Sequence, residues 1–200
     1  MKPKSNYISK DQFADLIDYI PQLKIRKWLD KDVEMVYRIA YWLGLRFGEA
    51  VKLKAEDFDL DRKEVYLGKT KTRKEDYAAI PIPFIPTLRQ YLKDKKGPLL
   101  PDCNVQNVYK WLMKAGVALK IIALTTPQSV TGEKTKLHIM RKSFGKDMYY
   151  GTFGKKASLG QVQSQLRHAN PITTGKYLKL DIEGAKEFWE PGTNDQIELN

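Results

Sequence analysis

Apolar positions take helical spacing close to the start of the chain. Ser9 stands three residues before Gln12, a capping-box pairing, and Phe13, Leu16, Ile17 and Ile20 recur on one helix face until Pro21 removes a backbone donor. Leu23, Ile25 and Trp28 suggest a short second helix. Asp30 is placed to cap a longer third helix, in which Val33, Met35, Val36, Ile39, Ala40 and Leu43 imply a largely buried element ending at Gly44. After Arg46 a further helical turn carries Ala50, Val51 and Leu53.

The period then changes from helix to strand. Asp57, Asp59 and Asp61 mark a turn, and residues 64–67 are β-rich. A polar stretch over 68–76 separates them from residues 77–82, the pattern of a β-hairpin with a basic loop. Pro81 and Pro83 confine the second strand to an edge or an end. Helical patterns resume at about 87–92 and 105–119. A loop over 125–135 follows, and then helices near 137–150, 158–166 and 172–180. With no internal repeat, the pattern predicts a mainly α chain with one small antiparallel β-sheet (α+β), forming one domain over 1–180 with a tail over 181–200.

Charge narrows the class of partner. The 200 residues carry 35 Lys plus Arg against 24 Asp plus Glu, a formal net charge of +11, which favours nucleic acid or an acidic membrane surface. Within 131–180 ten basic residues face two acidic ones, whereas 181–200 hold six acids (Asp181, Glu183, Glu187, Glu190, Asp195, Glu198) and only Lys186. The tail therefore suits protein or solvent better than DNA phosphate. No apolar run approaches the roughly 20 residues of a membrane span, and the polar opening lacks a secretory signal, so a soluble protein of the cytoplasm, or of the nucleoid or host-cell interior if virus- or plasmid-encoded, is expected, without membrane partners. Cys103 is the single cysteine, which leaves no internal disulfide and no Cys-based zinc site.

Two histidines are present, and each lies close to an arginine. His138 and Arg141 are three apart on a predicted helix and can address one anion together, and His168 follows Arg167 directly. His138, His168 and Cys103 are too scattered to make a tetrahedral zinc set. Phosphate-loop, dinucleotide-binding and Gly-x-Ser-x-Gly signatures are all missing, so nucleotide hydrolysis, hydride transfer and serine hydrolysis lose their usual scaffolds.

Five segments, read in order, resemble the tyrosine recombinases. They are Gly44-Leu45-Arg46-Phe47-Gly48-Glu49, the hairpin lysines Lys69 and Lys71, His138-x-x-Arg141, Leu166-Arg167-His168, and Tyr177 nine residues after His168. The family pattern has glycine where Arg167 stands, and the loop offers two lysines, of which Lys71 is favoured over Lys69. Family members usually carry a separate helical DNA-clamping domain before the catalytic one, and this chain is expected to lack it.

The resemblance implies the recombinase catalytic-domain fold, with Tyr177 as nucleophile forming a 3′-phosphotyrosyl link. It further implies that Arg46 and Arg141 bind the scissile phosphate, that His138 and His168 donate to it or handle the tyrosine proton, and that Lys71 protonates the leaving oxygen. Glu49 would support Arg46. Lys69, Arg73, Lys142, Lys146, Lys155 and Lys156 would contact the DNA backbone. The chemistry implied needs no metal, ATP or other cofactor, and the partner implied is double-stranded DNA on which four protomers assemble, with Phe188 and Trp189 in the tail docking on a neighbour. A type IB topoisomerase shares the chemistry but works as a monomer without strand exchange, and a catalytically silent DNA-binding regulator shares the basic surface, although the intact set Arg46, Lys71, His138, Arg141, His168 and Tyr177 argues against it.

Overall fold

Ser9 caps the first helix, α1 (Lys10–Tyr19), as the sequence predicts. Its Oγ accepts the Gln12 N–H at 3.2 Å while Gln12 Oε1 accepts the Ser9 N–H at 3.1 Å, so two otherwise orphaned donors are satisfied reciprocally. The computed structural model describes residues 7–69, 75–125, 138–168 and 174–175. It divides the chain into two compact units, residues 1–144 and 145–200.

In the first unit α1 buries Phe13, Leu16 and Ile17. Pro21 then turns the chain through a 3₁₀ segment, Ile20–Leu23. The expected second helix through Trp28 does not form. Lys24 takes a left-handed φ of 53°, which stops helix growth, and Trp28 is held by tertiary contacts instead. Its indole N–H donates to the Pro101 carbonyl at 2.8 Å, and its ring meets Trp111 edge-on at 5.4 Å.

The next helix, α2 (Asp30–Trp42), is the buried centre of this unit. Leu29, not Asp30, occupies the N-cap; Asp30 and Asp32 lie in the first turn, where carboxylates complement the helix dipole. Val33, Val36, Ile39 and Ala40 are fully buried. Tyr41 stacks on Phe13 with ring centres 4.0 Å apart, and Tyr37 meets Phe47 at 5.4 Å while donating its hydroxyl to the Val108 carbonyl at 2.6 Å. Burial of each large apolar side chain contributes roughly 2 kcal/mol.

One further strand joins the predicted hairpin, giving a sheet ordered β1 (Phe58–Asp59), β2 (Glu64–Lys69) and β3 (Glu75–Ala79), antiparallel throughout. The short β1 escaped prediction because two residues carry no periodicity. The aspartate turn has a specific cause: Asp59 Oδ1 accepts the backbone N–H groups of Asp61 at 3.1 Å and Arg62 at 2.8 Å. Val65 pairs with Ala78 on the buried face, and Tyr66 pairs with Tyr77, their rings 5.3 Å apart. Strand β3 ends at Ala79, ahead of Pro81, earlier than the predicted 82.

Helices α3 (Phe47–Ala50), α4 (Ile85–Leu92), α5 (Val105–Ala118) and α6 (Ile122–Thr125) complete the described part of the first unit before α7 (Ile139–Tyr150), inside which the boundary between units falls. Ser143 on α7 receives the Ile8 N–H at 2.8 Å, tying the start of the chain to this helix.

In the second unit α7 stops at a turn through Gly151 (φ 83°), and α8 (Leu159–Leu166) begins at a capping box of Ser158 and Gln161. It buries Val162 and Leu166. Of the predicted helix over 172–180, only Thr174 and Gly175 are among the described residues.

Candidate active site

The end of α2 builds the first part of the site. Gly44, at φ 64°, donates to the Tyr41 carbonyl at 3.3 Å and Leu45 donates to the Ala40 carbonyl at 3.1 Å. These two bonds are the Schellman arrangement, which needs a residue at positive φ and so explains the glycine. Leu45 and Phe47 are buried on either side of an extended Arg46 (φ −71°, ψ 145°), so the arginine is turned outward, its side chain 47% exposed. Glu49 then holds it twice. One carboxylate oxygen accepts the Arg46 backbone N–H at 2.8 Å and the other accepts Nη1 at 2.8 Å.

Arg141, on the first turn of α7, is the largest fully buried side chain among the described residues. Its Nη1 donates to the Gly44 carbonyl at 2.9 Å, so the turn that exposes Arg46 also anchors Arg141. His138 immediately precedes α7 and is half-buried. Burial holds its imidazole below the ordinary histidine range, and the cations of Arg46, Arg141 and Lys142 push in the same direction, only partly opposed by Glu49. Arg46, Glu49, His138, Arg141 and Lys142 are thus brought together in the first unit, with cations in excess. Such an excess around a partly desolvated imidazole is relieved by binding an anion.

Among the remaining predicted positions, Lys69 is the exposed last residue of β2 and lies opposite Glu75. Lys71, Arg73 and Tyr177 lie outside the described residues, as does the tail with Phe188 and Trp189.

In the second unit His168 follows α8. Its backbone N–H donates to the Gln163 carbonyl at 3.1 Å, and its carbonyl accepts Gln163 Nε2 at 3.0 Å. Its ring Nδ1 lies 2.9 Å from the Thr174 hydroxyl, a partner that no sequence signal marked. Arg167 has φ 53° and ψ 40° at the end of α8. The left-handed geometry accounts for the glycine of the family pattern, and an arginine there costs about 1 kcal/mol of backbone strain.

Lys155 and Lys156 are exposed, in keeping with the predicted basic face. Lys146 departs from it. Only 8% of it is exposed, and its ammonium sits 5.8 Å from the Tyr150 ring centre, because Lys146 lies on the buried side of α7. Among the described residues no three His, Cys, Asp or Glu converge to hold a metal ion.

Residues 6–183 match the Phage integrase family. The chain belongs to that family. Within its relatives, the tyrosine recombinase XerA of Thermococcus onnurineus is 23% identical over 203 residues, covering 94% of this chain and 62% of that protein. XerA of Thermococcus kodakarensis is 23% identical over 194 residues, covering 92% and 61% respectively. The chain therefore spans about three-fifths of the length of these relatives. Among solved structures, the catalytic domain of bacteriophage HP1 integrase aligns with a TM-score of 0.61 at 20% identity, covering 96% of this chain and 98% of that one. A XerA recombinase crystal structure aligns at 0.65 and 18% identity, over 94% of this chain and 64% of that one. The mainly helical fold with its small antiparallel sheet is thus the fold of this family's catalytic domains. No helix among the described residues is long and apolar enough to cross a membrane.

Proposed function

We propose that this phage integrase family chain is the catalytic domain of a site-specific DNA recombinase, which cuts and rejoins double-stranded DNA through a 3′-phosphotyrosyl intermediate. The observation that carries this reading is the gathering of the cations Arg46, Arg141 and Lys142 around His138, countered by a Glu49 that is itself engaged with Arg46. A phosphodiester is an anion that such a group suits.

In the proposed reaction, the Tyr177 oxygen attacks phosphorus as the bond to the 5′-oxygen breaks, and a 3′-phosphotyrosyl ester forms. Lys71 gives the 5′-oxygen its proton, with Lys69 as the alternative donor, and the tyrosine proton passes to His168 or His138. One phosphoester replaces another, so the reverse step seals the strand without ATP. Arg46 and Arg141 bind the non-bridging oxygens, where forked guanidinium donors stabilise the charge that develops in the transition state. Because burial and neighbouring cations keep His138 largely neutral, it suits hydrogen bonding to the phosphate.

Residues 1–180 form the catalytic domain in this reading. Lys155, Lys156 and Arg73 contact the DNA backbone, and the acidic tail docks on a neighbouring protomer in a tetramer on DNA. The protein then works in the cytoplasm or nucleoid. One of the neighbouring structures in fold, XerH, is described as bound to its difH substrate before cleavage.

The test is to incubate the chain and Tyr177→Phe with nicked suicide DNA substrates and look for a covalent adduct on a denaturing gel. An adduct in the unmodified chain alone is expected. DNA binding without an adduct on any substrate would favour a silent DNA-binding regulator. An adduct with relaxation but no strand exchange would favour a topoisomerase.

A further inference from the structure

We propose that Thr174 is a positioning residue for His168, setting which ring nitrogen is presented to the reacting phosphate. This rests on the reading of His168 as part of the recombinase site. Both residues lie in the second unit, and the support comes from three sides. Gln163 accepts the His168 backbone N–H at 3.1 Å and donates its side-chain amide to the His168 carbonyl at 3.0 Å, which fixes the backbone from which the ring projects. The ring itself meets the Thr174 hydroxyl through Nδ1 at 2.9 Å, and Thr174 is fully buried.

The backbone clamp by itself does not choose between the two flips of an imidazole, which exchange nitrogen and carbon positions. The Thr174 hydroxyl does. In the observed flip it faces Nδ1, whereas the other flip would set it against a ring carbon and leave a buried hydroxyl without this bond, an outcome folding disfavours. Nδ1 is thereby committed to Thr174, which assigns proton exchange or donation to phosphate oxygen to Nε2.

A hydroxyl is suited to this task because it both donates and accepts. It donates to an unprotonated Nδ1 and accepts from Nδ1–H, so the support survives either charge state of the ring. Proton transfer at Nε2 can then proceed without breaking the contact that holds the ring. Valine fills the same volume and offers neither role.

The experiment compares the unmodified chain with Thr174→Val and Thr174→Ser. In the DNA-free protein, long-range ¹H–¹⁵N spectra report imidazole tautomers, and His138→Gln assigns the His168 signals because the chain has only two histidines. Thr174→Val is expected to move the His168 Nδ1 resonance and change the tautomer balance, while Thr174→Ser keeps both. In single-turnover cleavage of a nicked suicide substrate at saturating DNA, Thr174→Val should be slowed about tenfold, with a shifted pH profile and unchanged DNA affinity. Thr174→Ser should recover to within about twofold. Thr174→Ala serves as a second hydroxyl-free variant if the valine fails to fold, and must behave as the valine is expected to.

Cleavage and His168 resonances unaltered in the hydroxyl-free variants would overturn the proposal, as would a serine variant as slow as the valine. Resonances that move as expected in a protein forming no adduct at all would overturn the recombinase reading and leave the hold of Thr174 on the ring supported.

Discussion

Two polar groups in the first unit use similar residues to opposite ends. At the start of α2, Asp32 is 7% exposed and accepts Lys95 Nζ at 2.6 Å and the Tyr91 hydroxyl at 2.8 Å. Burial, followed by the Asp32 carboxylate, holds the Tyr91 phenol well above the usual range. A cleft of about 730 Å³ opens beside it, lined among others by the acids Asp32, Glu34 and Asp94 and by the bases Lys31, Arg38 and Lys95, three of each. Around His138, burial first and then Arg46, Arg141 and Lys142, which outnumber Glu49, disfavour charge on the imidazole. The Asp32–Lys95 ion pair ties α2 to the chain after α4, whereas a site where cations outnumber acids favours an anion. Charge balance, not cleft size, separates the two.

The largest effects should come from removing either arginine. Arg141→Ala and Arg46→Ala should each slow suicide-substrate cleavage by roughly a thousandfold or more. They should differ in stability. Arg141 is buried on the Gly44 carbonyl, and its loss should cost about 2–4 kcal/mol in denaturant titration. Arg46 is half-exposed, and its loss should leave stability within about 1 kcal/mol. Asp32→Ala is the counterpart, lowering stability by about 3 kcal/mol while cleavage per folded molecule stays constant. A drop in cleavage for Asp32→Ala at full stability would erase the distinction between the groups.

A smaller effect concerns pH. The folded chain holds His138 below the ordinary value of about 6.5, so the unfolded chain takes up its proton first as pH falls. Stability is therefore lost from about pH 6.5 downward until the depressed folded value is passed. Denaturant midpoints at pH 7.5 and 5.5 should fall more steeply in the unmodified chain than in His138→Gln. Equal slopes would mean that burial and the surrounding cations do not act on the imidazole as described.

The smallest effect is on salt dependence. Lys155→Ala and Lys156→Ala should each reduce the slope of log DNA affinity against log salt by about 1, with cleavage at saturating DNA unaffected. Lys146→Ala, buried beside Tyr150, should leave the slope alone. A changed slope for Lys146 would return it to the DNA-facing surface.

Local devices were legible because their causes are local. The Ser9–Gln12 capping box, the Gly44 stop and the buried face of α2 depend on neighbours within about one helical turn, and each formed where its residues predicted. Prediction failed where the deciding partner was distant. Trp28 abandons a helix for Pro101 and Trp111, and Lys146 is buried by packing that its sequence neighbours do not reveal.

The site divides along the same line. Sequence alone determined the residue types, since Gly44, Arg46, Glu49, His138, Arg141 and His168 stand where the resemblance to the tyrosine recombinases points. Only the tertiary structure decided that the carbonyl of the Gly44 turn receives Arg141, 97 positions away, and that Glu49 holds Arg46 by two bonds while His138 shares the field of both arginines. It likewise decided that a buried threonine braces His168. Spacing records what the backbone dictates over a few residues, whereas orientation and charge state are set by whichever groups packing brings within a few ångströms.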